Sequence, residues 1–260
     1  MQVKPMKLSG AILCLVLLAG CSGSSKDPYA DWSAKEIYDS ARSAMNAGEF
    51  GEAVKLFEAL EARYPFGRYA LQTQLDIAYA YYKFDEMESA IAAADRFVKF
   101  NPRHERVDYA YYLKGLAHFN RGRALFERMS PRKFESIDQS QLRDSYRAFE
   151  ELLRRFPDSK YAPDARQHMV FLRNKQAEHE YLVASYYFRR AAYAGTVNRV
   201  KYLINRMDGA PVVADALVLM VKAYRKLGLL DLAEDTLTVL KANYPEHPEL
   251  AQFVAADPTS

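Results

Sequence analysis

Residues 70–102 read ALQTQLDIAYAYYKFDEMESAIAAADRFVKFNP, and the spacing of their small residues decides the fold. Ala78 is followed twelve residues on by Ala90, four later by Ala94, and eight beyond that by Pro102. The same intervals hold for Ala41, Ala53, Phe57 and Pro65, and again for Val221, Ala233, Leu237 and Pro245. Tyr81 and Tyr224 take the aromatic place in the first helix of their copies, and Gly48 and Gly228 the turn between helices. Each interval has a physical reason. Small residues let two antiparallel helices approach closely, while a larger apolar residue fills the groove between successive pairs. Proline stops the second helix, since it lacks an amide donor and its ring clashes with the preceding turn. One pair cannot bury its apolar face alone, so stability comes from stacking neighbours.

This is the tetratricopeptide pattern, and it predicts an all-α chain: a right-handed superhelical solenoid of about five repeats. Two copies are less regular. Ser145, Phe149 and Pro157 belong to a second helix over 143–156. Its partner is 107–127, with Gly115 as the small residue. Gly115 and Ser145 lie 30 residues apart rather than twelve, so about eighteen are inserted, roughly 128–142. That stretch, with Pro131 and Ser130, reads as a loop, either tolerated decoration or a contact element. In the other copy, 165–192 is a long helical stretch that Gly195 is expected to break, with a further helix over 196–207. Val197, Val200, Leu203, Ile204 and Met207 line one face of that helix. Repeats one and two thus fall in 32–104, repeat three in 105–160, and repeats four and five in 161–254, with a tail at 255–260.

The N-terminus sets the compartment. Lys4 and Lys7 precede an apolar run from Leu8 to Leu17, about the length of an export-signal core and too short for a spanning helix. Leu18-Ala19-Gly20-Cys21 follows and resembles the lipobox of bacterial lipoproteins. The resemblance implies cleavage after residue 20 and a covalent N-acyl diacylglyceryl lipid on Cys21. Ser22 stands where an inner-membrane retention signal would resemble Asp, which implies the outer membrane of a Gram-negative bacterium, facing the periplasm. Residues 21–31 are expected to be a flexible tether; the nine from Cys21 on reach at most roughly 30 Å. Loss of the signal with its two lysines lowers the net charge from +3 to +1, which argues against a nucleic-acid partner. Cys14 leaves with the signal, so Cys21 is the sole remaining cysteine and no internal disulfide can form.

Beyond the repeats, the chain carries Tyr64-Pro65-Phe66-Gly67, Gln74-Leu75-Asp76 and Tyr79-Ala80-Tyr81-Tyr82-Lys83, then NPRHERVDYAYYLKGLAHF and YYFRRAAYAGTVNRV. Together with the lipobox these strings resemble the BamD (ComL-like) lipoproteins of the outer-membrane β-barrel assembly machine. The likeness covers nearly the whole mature chain. Departures are Arg68 and Ala70, where the family often has Pro and Ser, Ala191 where a Gly commonly follows Arg, and the divergent insertion. The resemblance implies a non-catalytic protein that binds unfolded outer-membrane proteins and hands them to the barrel-forming subunit. Its N-terminal repeats would take the substrate's C-terminal signal strand. Its C-terminal repeats would take that subunit's periplasmic domains, alongside accessory assembly lipoproteins.

Repeat arrays of this kind line a groove with first-helix side chains, and such grooves receive extended peptides. Gln72, Leu75, Tyr79, Tyr82 and Lys83 are spaced to face it in the second repeat, and Lys35, Tyr38, Arg42 and Met45 in the first. Tyr64, Phe66 and Arg68 in the intervening turn complete the candidate substrate site. Tyr and Leu would bury an aromatic residue, while Arg68, Gln72 or Lys83 would meet backbone or carboxylate. The competing assignment for any one tyrosine is repeat core, and Tyr81, at the packing position, is expected there. By resemblance Asn198-Arg199 is the partner site, with Arg199 a candidate ion pair to an acidic residue of the barrel subunit. No metal, cofactor or catalytic site is expected. The five histidines are scattered, His179 between Glu178 and Glu180 shares no helix face with either, and HExxH, Cys-x-x-Cys, Gly-rich and Gly-x-Ser-x-Gly motifs are missing. The alternatives are another envelope scaffold lipoprotein, such as a pilotin or a peptidoglycan-linked repeat protein, and an envelope hydrolase.

Overall fold

A computed structural model of the chain describes residues 28–127 and 140–255. The lipobox with Cys21, the tether to residue 27, most of the insertion and the tail from 256 lie outside them. The described residues form eleven helices and no strand. They are α1 (Ala34–Ala47), α2 (Phe50–Arg63), α3 (Ala70–Lys83), α4 (Met87–Phe100), α5 (Val107–Glu127), α6 (Ser140–Arg155), α7 (Ala162–Arg189), α8 (Tyr193–Arg206), α9 (Val213–Lys226), α10 (Leu230–Asn243) and α11 (Leu250–Ala255). The first ten make five hairpins of tetratricopeptide type, each packed on the next. The first helices of neighbouring pairs also touch, α3 on α5 and α7 on α9.

The local chemistry explains where the helices start and stop. Ser33 caps α1 by accepting the Glu36 amide at 3.3 Å, while the Glu36 carboxylate accepts the Ser33 amide at 2.8 Å. Tyr64, Asn101 and Tyr244, each just before a proline, leave the helical region and end α2, α4 and α10. Between the helices of a pair the chain turns through one residue with positive φ: Gly48 (81°), Asp85 (67°), Ala191 (59°) and Gly228 (73°). In each case the following amide donates to the carbonyl five residues back, as from Glu49 to Ala44 and from Ala192 to Tyr187. Glycine makes this turn without strain; Ala191 does not.

The small residues sit where the helices cross. Ala41, Ala53, Ala78, Ala90, Ala94 and Val221 are fully buried. Gly115 and Ser145 do pair across the insertion. Ser145 Oγ donates to the Gly115 carbonyl at 3.1 Å, and a Cβ on Gly115 would stand 2.5 Å from the Phe149 ring. The fourth pair is more regular than its sequence reads. Ala184, Thr196 and Val200 keep the intervals of twelve and four and are fully buried, with Asp208 where other copies have proline.

Four sequence boundaries need correction. Gly195 does not break the long helix: it lies inside α8, where an added Cβ would stand 3.3 Å from the Tyr187 ring, and the break is the turn at Ala191. The long helix runs Ala162–Arg189, three residues earlier than expected at each end, with Pro163 in its first turn, where no amide partner is needed. Helix α6 starts at Ser140, so the insertion is shorter than 128–142. Leu142 is buried one turn before Ser145 and extends its stripe. The tether ends before residue 31, because residues 28–31 form a turn against α2. Tyr29 donates to Glu52 at 3.1 Å, and Arg63 donates to the Tyr29 carbonyl. A short helix, α11, also goes beyond the expected repeats; Phe253 in it is buried in the last core.

The core divides around α7. Its N-terminal half gives Ala165 and Leu172 to a cluster with Phe97, Phe149 and Leu152, and its C-terminal half gives Ala177 and Ala184 to a second with Val200, Leu217 and Tyr224. Left-handed backbone costs a non-glycine residue about 1 kcal/mol or more. Ala191→Gly should therefore raise the melting temperature by about 2–4 °C. Thermal unfolding followed by circular dichroism checks this, and an unchanged midpoint would show the turn to be unstrained.

Candidate functional site

One buried carboxylate gathers the first three pairs. Asp76, in the middle of α3, is 6% exposed and has three described partners. Gln72 Nε2 donates to its Oδ1 at 2.7 Å, and the Tyr38 hydroxyl to its Oδ2 at 3.2 Å. The Arg42 guanidinium stands 3.3 Å from the same Oδ2. Gln72 in turn accepts from Arg106 at 2.8 Å, just before α5. Side chains of α1, α3 and the approach to α5 thus meet on the first-helix face. A carboxylate this buried is tolerated only because it is hydrogen-bonded and faces positive charge. Burial pushes its pKa up, while Gln72, Arg42, Tyr38 and Arg106 pull it down, and burial wins. The Tyr38 phenol is pushed up to about 12, by burial first and then by the Asp76 charge.

Aromatic rings extend this cluster along the face. Tyr38 stacks on Tyr69 at 4.8 Å, and Arg68 lies over Tyr69 at 5.9 Å. Arg106 lies over Tyr109 at 5.4 Å, and Tyr109 leads through Tyr161 (5.4 Å) to Tyr112, stacked on Tyr161 at 4.6 Å. The Tyr112 hydroxyl donates to Asp164 at 2.7 Å. Farther along α3, Tyr79 meets the Phe50 edge at 6.4 Å and Lys83 lies over the same ring at 5.5 Å. Asn120 donates to the Tyr82 hydroxyl at 2.9 Å. Tyr38, Tyr69, Tyr79, Tyr82, Tyr109 and Tyr161 are all half-buried.

The structure brings together only part of the site read from sequence. Gln72, Tyr79, Lys83, Tyr38 and Arg42 share the face, and Arg68 joins through Tyr69. Leu75 does not: it is fully buried with Phe97 and Ala110, and Asp76 takes its place. Gln72, Asp76, Tyr79 and Lys83 follow i, i+4, i+7, i+11, the natural stripe of a helix. Tyr64 turns away, bonding the Trp32 carbonyl at 3.0 Å and lining a hollow with Leu60, Thr73, Gln74 and Arg96. Phe66 is 89% exposed in the turn, apart from the cluster. Lys35 is engaged with Asp39 at 2.5 Å, and Met45 packs on the first core. Tyr81 packs against the first core at its expected place and is half-buried, its hydroxyl reaching Glu58 at 2.6 Å. Asp76 and Arg106 were missed as site residues. The signal for Asp76 was available: it is the one charged residue between Gln72 and Lys83, four on from Gln72. In the fourth pair Asn198 is exposed, but Arg199 already has a partner, Glu180 at 2.9 Å.

Among the described residues no group of three or more His, Cys, Asp or Glu is placed to hold a metal, and no helix is long and apolar enough to cross a membrane. Stacked hairpins that present a cationic, tyrosine-lined face define a tetratricopeptide-type scaffold. The chain belongs to the YfiO family of outer membrane lipoproteins, whose model matches residues 30–240. It is 42% identical over 220 residues to the outer membrane protein assembly factor BamD of Neisseria meningitidis serogroup A, covering 85% of this chain and 82% of that one. BamD of Vibrio cholerae is 36% identical over 241 residues, covering 93% and 99%. BamD of Xylella fastidiosa (strain Temecula1) is 34% identical over 248, covering 95% and 85%. Among solved structures, the TPR2AB domain of yeast Sti1 in its pHSP90 complex aligns with 82% of this chain and 78% of its own. The TM-score is 0.41 and the identity 16%.

The raised pKa of Asp76 has a consequence for stability. From the ordinary value of 3.8 up to the raised one, the folded protein keeps a proton that the unfolded chain has lost. Asp76 therefore makes stability fall as pH rises through that window. Asp76→Asn should remove this fall, so urea midpoints from roughly pH 4 to 7 should decline less in the variant than in the wild type. Parallel profiles would mean that burial does not dominate at Asp76.

Proposed function

We propose that this chain is a non-catalytic lipoprotein, anchored to the outer membrane through lipid on Cys21, that receives unfolded outer-membrane proteins from the periplasm. It would pass them to a barrel-forming assembly subunit, with accessory lipoproteins in the same complex. The observation that carries the reading is the face of half-buried tyrosines edged by Arg68, Arg42, Arg106 and Lys83, in a chain whose family relatives are outer membrane protein assembly factors. Membrane-facing β-strands alternate apolar and polar side chains. Open tyrosine rings can cover the apolar ones, and Gln72, Arg68 and Lys83 can meet backbone carbonyls. The residues 32–104 would form the substrate groove and 161–254 the docking region for the barrel subunit's periplasmic domains, at Asn198 and Arg199. Arg199 would act there from its place beside Glu180 and Tyr187.

Tyr79→Ala with Tyr82→Ala should weaken binding of a C-terminal barrel peptide about tenfold or more, at unchanged helical content. Fluorescence anisotropy with circular dichroism reads both quantities, and full affinity in the double variant would remove the groove. Arg199→Glu should release the barrel subunit in a pull-down while Glu180→Gln retains it. Retention by Arg199→Glu would end that assignment.

A further inference from the structure

The two ends of the first two hairpins differ in chemistry. The chain enters at one of them: the Tyr29 carbonyl accepts from Arg63 in the last turn of α2, and the Trp32 carbonyl accepts from the Tyr64 hydroxyl at 3.0 Å. Helix α3 begins and α4 finishes at the same end, where Gln74 accepts from Asn101 at 3.1 Å and one hollow is lined by Leu60, Thr73 and Arg96. Phe66 is 89% exposed there and Phe100 68%, and Trp32 and Leu71 are exposed as well. Large apolar side chains left open at one end mark an interaction surface. The charge follows the same division. Residues 63–70 and 99–106, at the entry end, hold Arg63, Arg68, Lys99, Arg103 and Arg106 against Glu105, with Asp31 in the entering segment. Residues 47–52 and 83–88, at the other end, hold Glu49, Glu52, Asp85, Glu86 and Glu88 against Lys83. Arg68, Lys99 and Arg103 are exposed, and Lys99 lies over the Phe100 ring at 5.8 Å. Aromatic rings flanked by cations are the side chains that settle at the headgroup level of a bilayer, and each cation near an anionic surface adds attraction.

We propose that the entry end of the first two hairpins is a rim that contacts the membrane surface, Phe66, Phe100 and Trp32 settling among the headgroups while Arg68, Lys99 and Arg103 meet the phosphates of anionic lipid. This rests on the lipid anchor at Cys21 proposed above and adds to it the orientation of the folded body. Pro28 follows Cys21 by seven residues, so an anchored chain holds this end within about 25 Å of the bilayer. The acidic end lies one helix farther off, 14 residues of α1 or about 21 Å. The helices of these two hairpins then stand end-on to the bilayer, and the Asp76 face opens sideways along its plane rather than toward it.

Trp32 is the sole tryptophan, so the full-chain lipoprotein with Trp32→Phe accepts a single fluorescent reporter wherever one is wanted. Phe66→Trp and Phe100→Trp report on the rim, and Ala47→Trp, exposed in the last turn of α1, on the opposite end. Each is incorporated through its own lipid into vesicles of phosphatidylcholine and phosphatidylglycerol with brominated chains, which quench only tryptophans that reach the bilayer. Compared with unbrominated vesicles, emission from both rim positions should fall about twofold or more, with little change at Ala47→Trp. Leu71→Trp, at the same end, serves if Phe100→Trp is poorly folded by circular dichroism. Lys99→Glu with Arg103→Glu should bring the quenching of Phe66→Trp close to that of Ala47→Trp, and so should vesicles of phosphatidylcholine alone. Equal quenching at the two ends, in protein that floats with the vesicles, would overturn the rim and leave the anchor standing. Rim quenching that survives either the charge reversal or the neutral lipid would overturn the pairing with anionic headgroups. Protein that fails to float with the vesicles would instead strike at the lipid anchor, and the orientation would fall with it.

Discussion

Two helices of a hairpin approach only as closely as the side chains at their crossing allow, and this limit governs the molecule. Ala41 against Ala53, Ala78 against Ala90 and Ala184 against Thr196 keep each pair tight. Between α5 and α6 even a methyl group on Gly115 would invade the Phe149 ring. Close crossing leaves a groove between pairs, and Phe57, Phe97, Phe149 and Leu237 fill it. Interiors packed at this density transmit the position of one helix to the next. The first helices therefore line up on one face, and the Asp76 cluster depends on that alignment.

The long helix α7 adds a second constraint. It belongs to two cores at once, so it couples the N-terminal pairs to the C-terminal ones through a single rigid element of 28 residues. A substrate face on the first three pairs and a docking surface on the last two would then be held at a fixed separation. His168 sits at this joint, stacked on Phe149 at 5.1 Å and next to Asp164 at 3.3 Å, and burial lowers its pKa.

The Asp76 cluster shows how a repeat protein gathers polar groups from elements that have no local reason to be polar. Helix α3 is apolar around most of its circumference, yet Asp76 lies buried among Thr73, Leu75, Ile77 and Ala78. An unpaired carboxylate there would cost several kcal/mol, so its partners had to come from neighbouring pairs. They do: Tyr38 and Arg42 come from α1, and Arg106, through Gln72, from the approach to α5. The cluster thus joins the first three repeats.

The sequence by itself determined the hairpins. Intervals of twelve, four and eight residues are properties of helix geometry, so Ala78, Ala90 and Pro102 announce two helices, their crossing and their end without reference to the rest of the chain. Even the Gly115–Ser145 pairing was legible across its insertion, because the flanking residues kept their register. What only the tertiary structure decided were the contacts between pairs. Asp76 rather than Leu75 faces the groove because α3 turns its apolar side toward Phe97 and Ala110, a choice made by neighbours far along the chain. The partners Tyr38–Asp76, Gln72–Arg106 and Glu180–Arg199 lie 38, 34 and 19 residues apart, beyond the reach of any helical period. The turn at Ala191 shows the same limit: with no glycine to mark it, its left-handed backbone is imposed by two helices that must pack, at the expense of local preference.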